Sequence, residues 1–174
     1  KVNADNRIVS GQNDAKITII AYESLTCSFC ADFHNKIYPL LKKEFIDTGL
    51  VKIEFRHFPL DIVALNASKI SQCKEDQSLE IMMSLYSDQQ AWIKGKTIEE
   101  ANENLKKFVE NKNFNLDFEK CISDKKIEDF VLNDRIEGTK KFKVNATPTI
   151  IINNKKFEKP LNYKNLKKSL EKLI

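Results

Sequence analysis

Glycine and proline are scarce, four of each among 174 residues. Set against plentiful Lys, Asn and Ile, that scarcity reflects an AT-rich genome rather than chemistry, and there is neither a low-complexity tract nor an internal repeat. Charge of one sign is concentrated nowhere. The 29 basic and 25 acidic residues give a net +4 with no run of five or six like charges, which argues against a nucleic-acid partner. Adjacent lysines, such as Lys42 and Lys43, Lys106 and Lys107, or Lys167 and Lys168, mark solvated helix faces. No apolar run approaches the roughly 18 residues that cross a bilayer, so a soluble mature chain is expected. No charged-then-apolar leader precedes Lys1, and an opening residue other than Met reads as a processed chain with its signal peptide removed. Histidine is limited to His34 and His57. Neither belongs to a second metal-ligand pair, so one Cys-x-x-Cys supplies only half of a zinc set and no metal is expected.

The length suits one domain, or one domain carrying an insertion, and can bury a real core. Lys16 to Tyr22 is β-branched and apolar enough for a buried strand. Helical spacing follows at Phe33, Ile37, Leu40, Leu41 and Phe45, with a kink expected at Pro39 and an end at Thr48-Gly49. Val51, Ile53 and Phe55 then alternate with Lys52, Glu54 and Arg56, as in a strand with one buried face. From Asp61 to Glu137 every segment reads helical, with Leu79, Met82, Met83 and Tyr86, then Leu105, Phe108 and Val109, at helical intervals. Trp92 and the two methionines read as core. After Gly138 come a strand at Thr149 to Ile152, an Asn153-Asn154 turn, a short strand around Phe157, and a helix with Leu166, Leu170, Leu173 and Ile174 on one stripe. The order β-α-β, helices, β-β-α describes an α/β sheet domain (residues 1–60 and 138–174) split by a helical insertion (residues 61–137).

Residues 27 to 30 read Cys-Ser-Phe-Cys, at the junction of the first strand and its helix. Unpaired amide N–H groups and the positive end of the helix dipole stabilise an anion there, so Cys27 should ionise well below the ~8.5 of a free thiol. A thiolate attacks disulfides, and Cys30 is close enough to resolve a mixed disulfide on Cys27. Cys27 is therefore the expected nucleophile, and Cys30 the buried resolving thiol. Lowering Cys27 from roughly 7 to roughly 4 would raise the potential of the pair by about 90 mV. Cys73 and Cys121 lie on apolar helical stripes and are either two buried free thiols or a structural disulfide closing the helical block. The even cysteine count favours an oxidising compartment.

Residues 144 to 152 read Val-Asn-Ala-Thr-Pro-Thr-Ile-Ile-Ile, with Pro148 at the mouth of an apolar strand, where a residue without an N–H belongs. Cys27-Ser28-Phe29-Cys30 after one strand, with Thr147-Pro148-Thr149 before a later one, resembles the thioredoxin superfamily. The helical block and the phrase Arg56-His57-Phe58-Pro59-Leu60 narrow the resemblance to the DsbA-like thiol:disulfide oxidoreductases of bacteria, of proteobacterial type, over residues 7 to 174. It implies a thioredoxin fold, a central mixed sheet flanked by helices with an inserted α-helical domain. It also implies that Pro148 is cis, that Thr147 and Pro148 line the substrate site beside Ser28 and Phe29, and that no cofactor is needed beyond the Cys27-Cys30 disulfide. In such a family the partners are reduced or misfolded secreted proteins in the periplasm, and a membrane quinone oxidoreductase of the DsbB type that restores the disulfide. Two departures stand out. The place of the family's buried acid in the first strand is taken by Ala21, with Glu23 nearby, and the dipeptide is Ser-Phe where strong oxidases carry Pro-His. His34, two turns after Cys27, is expected at the surface.

An oxidase is the first expectation. An isomerase or reductase of the same fold and a non-enzymatic interaction module are the alternatives. Isomerases of this kind bring a dimerisation segment, and the few residues before Ile8 leave no room for one, so a monomer is expected.

Overall fold

The computed structural model describes residues 6–174; the expectations attached to Lys1 and the N terminus lie outside the described residues. The chain opens with β1 (Ile8–Ser10) and β2 (Ile17–Glu23). Next comes α1 (Ser28–Asp32), which runs on through a π turn (Phe33–Ile37), α2 (Tyr38–Leu41) and a second π turn (Lys42–Ile46). After β3 (Val51–His57) lies the helical block: α3 (Ile62–Cys73), a 3₁₀ turn (Glu75–Gln77), α4 (Ser78–Ser87), α5 (Gln89–Trp92), α6 (Ile98–Asn111), α7 (Phe118–Ser123) and α8 (Lys125–Phe142). The chain closes with β4 (Thr149–Ile152), β5 (Lys155–Lys156) and α9 (Tyr163–Glu171).

The five strands form one mixed sheet in the order β1-β3-β2-β4-β5. Only β2 and β3 are parallel, as expected for strands joined by a helical crossover. β2 lies at the centre, and its residues alternate between two cores. Ile17, Ile19 and Ala21 face the larger core, whereas Ile20 and Tyr22 pack with Phe58, Phe142, Val144 and Ile151 on the opposite face. Burial on both faces explains why this strand reads as an uninterrupted apolar run. β3 alternates buried and half-buried along all seven residues, in step with its sequence.

Side-chain oxygens cap the helices of the block. Asp61 accepts from the amide of Ala64 at 2.7 Å, Thr97 from Glu100 at 3.1 Å, and Asp124 from Ile127 at 3.1 Å. Inside the block Trp92 is fully buried, and its Nε1 donates to the carbonyl of Leu85 at 2.8 Å. Cys73 and Cys121 are bonded to each other across 48 residues, tying the end of α3 to α7.

Several boundaries differ from the sequence reading. β1 was not expected, because three residues are too short to show a period. The helix expected to end at Glu137 continues through Gly138 to Phe142. A Cβ at position 138 would lie 2.7 Å from Cε1 of Tyr22, so glycine here lets α8 cross the sheet closely instead of ending the helix. Pro39 falls in the first turn of α2, where its missing N–H is absorbed by the π turn before it, and the helix continues. β5 is Lys155–Lys156, not a strand around Phe157, and both lysines are exposed. Leu166 and Leu170 are buried, but Leu173 and Ile174 lie beyond α9 and are exposed.

Candidate active site

The loop from Ser24 to Thr26 links β2 to α1 and is held from three directions. Ser24 Oγ accepts from the amide of Leu60 at 3.2 Å, and Thr26 Oγ1 donates to Asp61 at 2.8 Å. From the helical block, the buried side chain of Gln89 donates through Nε2 to the carbonyls of Leu25 (2.8 Å) and Cys27 (3.0 Å). A single amide thus fixes the backbone that presents Cys27.

Cys27 is the N-cap of α1, with extended backbone, and its sulfur accepts from the amide of Cys30 at 3.4 Å. Its pKa is lowered to about 5, chiefly by the hydrogen bond from the Cys30 thiol, against which burial works, and further by the Thr147 hydroxyl and the amides of Cys30 and Phe29. Cys30 is fully buried and moves the opposite way. Desolvation pushes its pKa far up, its hydrogen bond to Cys27 adds to this, and the nearby charge of Glu23 adds more. One sulfur is thus held as an anion and the other as a thiol.

The segment before β4 closes over Cys27. The Thr147-Pro148 bond is cis, and the Cys27 sulfur lies 3.6 Å from the Thr147 carbonyl oxygen, to which it donates only when protonated. Beside them lies a groove of about 590 Å³ lined by Phe29, Phe33, Ile37, Pro148, Leu161 and Tyr163, among others. Phe29 is 71% exposed, so it offers the groove an apolar rim and gives the thiolate no cover. Ser28 lies on the other flank, in a more polar groove with Asn35, Asp88 and Gln90. The Cys73–Cys121 bond belongs to the helical block.

Of the residues around the Cys pair, His34 stands elsewhere than the sequence suggested. Ala21 is buried in the core, and Glu23, two residues along on the same face of β2, is the acid that reaches the site. His34 is not at the surface: it is buried and bonded through Nε2 to Glu23 Oε2. Its burial was legible in the spacing, because Cys30, His34, Ile37 and Leu41 share one helical face. Gln89 carried no signal, since a lone glutamine between helices has no pattern of its own.

A family model described as "Thioredoxin" matches residues 3–172. A putative protein-disulfide oxidoreductase of Rickettsia bellii (strain RML369-C) is 29% identical over 153 residues, which is 86% of this chain and 58% of that protein. The chain thus spans less than two thirds of that curated relative. Disulfide bond formation protein D of Bacillus subtilis (strain 168) is 28% identical over 174 residues, covering 94% of this chain and 75% of that protein. The crystal structure of Wolbachia pipientis alpha-DsbA1 superposes with a TM-score of 0.85 at 30% identity, covering 97% of this chain and 91% of that one.

Proposed function

The chain belongs to the thioredoxin family and shares its fold, and from that membership we propose that it is a thiol-disulfide oxidoreductase of the DsbA type working as an oxidase. It donates the Cys27-Cys30 disulfide to reduced proteins folding outside the cytoplasm. A substrate thiolate attacks Cys27, Cys30 leaves, and a second substrate thiolate displaces Cys27 to complete the new disulfide. The observation that carries this reading is the ionised Cys27, lowered to about 5 beside a Cys30 held as thiol.

A stabilised thiolate favours the dithiol form and so makes the disulfide the stronger oxidant. A fall from the roughly 7 of thioredoxin to about 5 shifts the pair towards the oxidising side by something on the order of 60 mV. The apolar groove beside Pro148, with Phe29 on its rim, suits an extended, unfolded segment. The Cys73–Cys121 bond fits a periplasmic or similar oxidising space. There a membrane quinone oxidoreductase of the DsbB type returns the pair to the disulfide, and the chain acts as a monomer.

Equilibration with glutathione buffers measures the potential. A value well above that of thioredoxin, with faster oxidative refolding of a reduced test protein, supports the oxidase. A value near thioredoxin's gives the reductase or isomerase alternative instead, and a chain that neither refolds such a protein nor reduces insulin is no oxidoreductase.

A further inference from the structure

Helix α1 and the π turn that follows it form a ridge, with Cys27 at its head and a different chemistry on each slope. Phe29, Phe33 and Ile37, at intervals of four, line the apolar groove beside Pro148. Ser28, Ala31 and Asn35, at intervals of three and four, line a second groove of about 420 Å³ on the opposite slope, completed by Ser87, Asp88 and Gln90 from the junction of α4 and α5. There Ser28, Asn35, Ser87 and Gln90 stand exposed, and the only exposed apolar side chain is the methyl group of Ala91. The two carboxylates at its border are answered, Asp32 by Lys36 at 3.0 Å and Asp88 by Lys112 at 2.8 Å, so the groove offers hydroxyls and amides rather than uncompensated charge.

This groove is joined to the reacting sulfur by more than sequence. Gln89, which also lines it, donates to the Cys27 carbonyl at 3.0 Å, so the backbone that presents the sulfur and the wall of the groove form one unit. What must lie there follows from covalent attachment. A client joined to Cys27 as a mixed disulfide is anchored at one residue, and its chain leaves the anchor in two directions. An extended chain advances about 3.3 Å per residue, so three residues cover about 10 Å, the length of helix that separates Ser28 from Asn35. If one arm fills the apolar groove, the tether delivers the other to the opposite slope at high effective concentration. An apolar side chain there would strip water from hydroxyls and amides and offer them no partner, whereas a polar one exchanges hydrogen bonds with them.

Building on the oxidoreductase reading, we propose that the slope lined by Ser28, Asn35 and Gln90 is a second client subsite: it selects polar residues on one side of the reacting cysteine, while the groove beside Pro148 takes apolar residues on the other. Asn35 and Gln90 are its specificity-determining residues. The chain therefore prefers client cysteines at a boundary between apolar and polar sequence, read in one chain direction, over cysteines embedded in apolar segments.

Cys30→Ala cannot resolve a mixed disulfide, so peptides bound at Cys27 accumulate on it. In a glutathione buffer this chain is offered equal amounts of two peptides of one composition, one of them isotope-labelled. The first has leucine and phenylalanine before a single cysteine and serine and asparagine after it; the second has the reverse order. Each peptide thiolate displaces glutathione from Cys27, and mass spectrometry counts the two mixed disulfides. Competition for one sulfur cancels any change in the reactivity of Cys27 itself. One order should win by about fivefold or more, and adding Asn35→Leu with Gln90→Leu should bring the ratio to within about twofold. A peptide with apolar residues on both sides should lose to the favoured order on the unaltered slope. Equal occupancy by the two orders, a ratio untouched by the paired leucine replacements, or a doubly apolar peptide that binds as well as the favoured order would overturn the proposal. Should the leucine variant not fold, the doubly apolar peptide on the unaltered slope decides alone. Absence of any mixed disulfide on Cys27 would instead overturn the oxidoreductase reading, and this inference with it.

Discussion

Cys27 and Thr147, 120 residues apart in sequence, meet at the end of the sheet, with the Cys27 sulfur 3.6 Å from the Thr147 carbonyl oxygen. The Thr147 hydroxyl is buried with no hydrogen bond of normal geometry, yet it helps to lower the pKa of the same sulfur. Thr147→Val keeps the shape and removes that hydroxyl. A hydrogen bond to a charged group is worth about 1.5 to 3 kcal/mol, or about one to two pKa units. The Cys27 pKa, followed by the ultraviolet absorbance of the thiolate, should rise by at most that amount, and the potential should fall by no more than about 30 to 60 mV.

The same thiolate couples redox state to pH. Cys27 has a folded pKa of about 5, below the ~8.5 of an unfolded thiol. A depressed pKa contributes stability that is complete above the unfolded value and lost as pH falls through the folded one. The disulfide form has no thiolate and no such contribution. Thermal melts should therefore show the dithiol form gaining on the disulfide form between about pH 5 and 8, with the gain gone below pH 5; a difference independent of pH would contradict the thiolate.

Gln89→Leu leaves the carbonyls of Leu25 and Cys27 without the donor they share. Urea denaturation should show a loss of about 1 to 3 kcal/mol. Cys27 alkylation should slow as well, because its N-cap geometry loses support. Unchanged alkylation would confine Gln89 to stability.

Replacing both Cys73 and Cys121 with Ala opens a loop of 48 residues' separation. In the chain-entropy model the unfolded state then gains freedom worth about 4 kcal/mol. Denaturant unfolding of the disulfide-free variant should show a loss of that order, while the pKa of Cys27, which is set by local hydrogen bonds, stays in place.

How much of this was legible depended on whether the signal was local. The Cys-x-x-Cys at a strand-to-helix junction, the alternation of Val51 to Phe55 and the Thr-Pro before an apolar strand each lie within a few residues, and each element forms there. Gly138 misled because its usual meaning, an end to a helix, is overridden by the Tyr22 ring pressed against it. Glu23 and His34 were visible as residues but not as a pair, because their meeting depends on how α1 lies against β2. Gln89 reaches the site from another part of the chain, and only tertiary structure brings it there.

The rim strands β1 and β5 are three and two residues long, and β5 is made of two solvent-facing lysines. On the proposed function, this protein would meet many loose segments able to zip onto an open ladder. Here the borders are too brief, and on one side too cationic, to recruit them. Under that proposal, clients would be gripped at the sulfur and released without seeding a fibril on their handler.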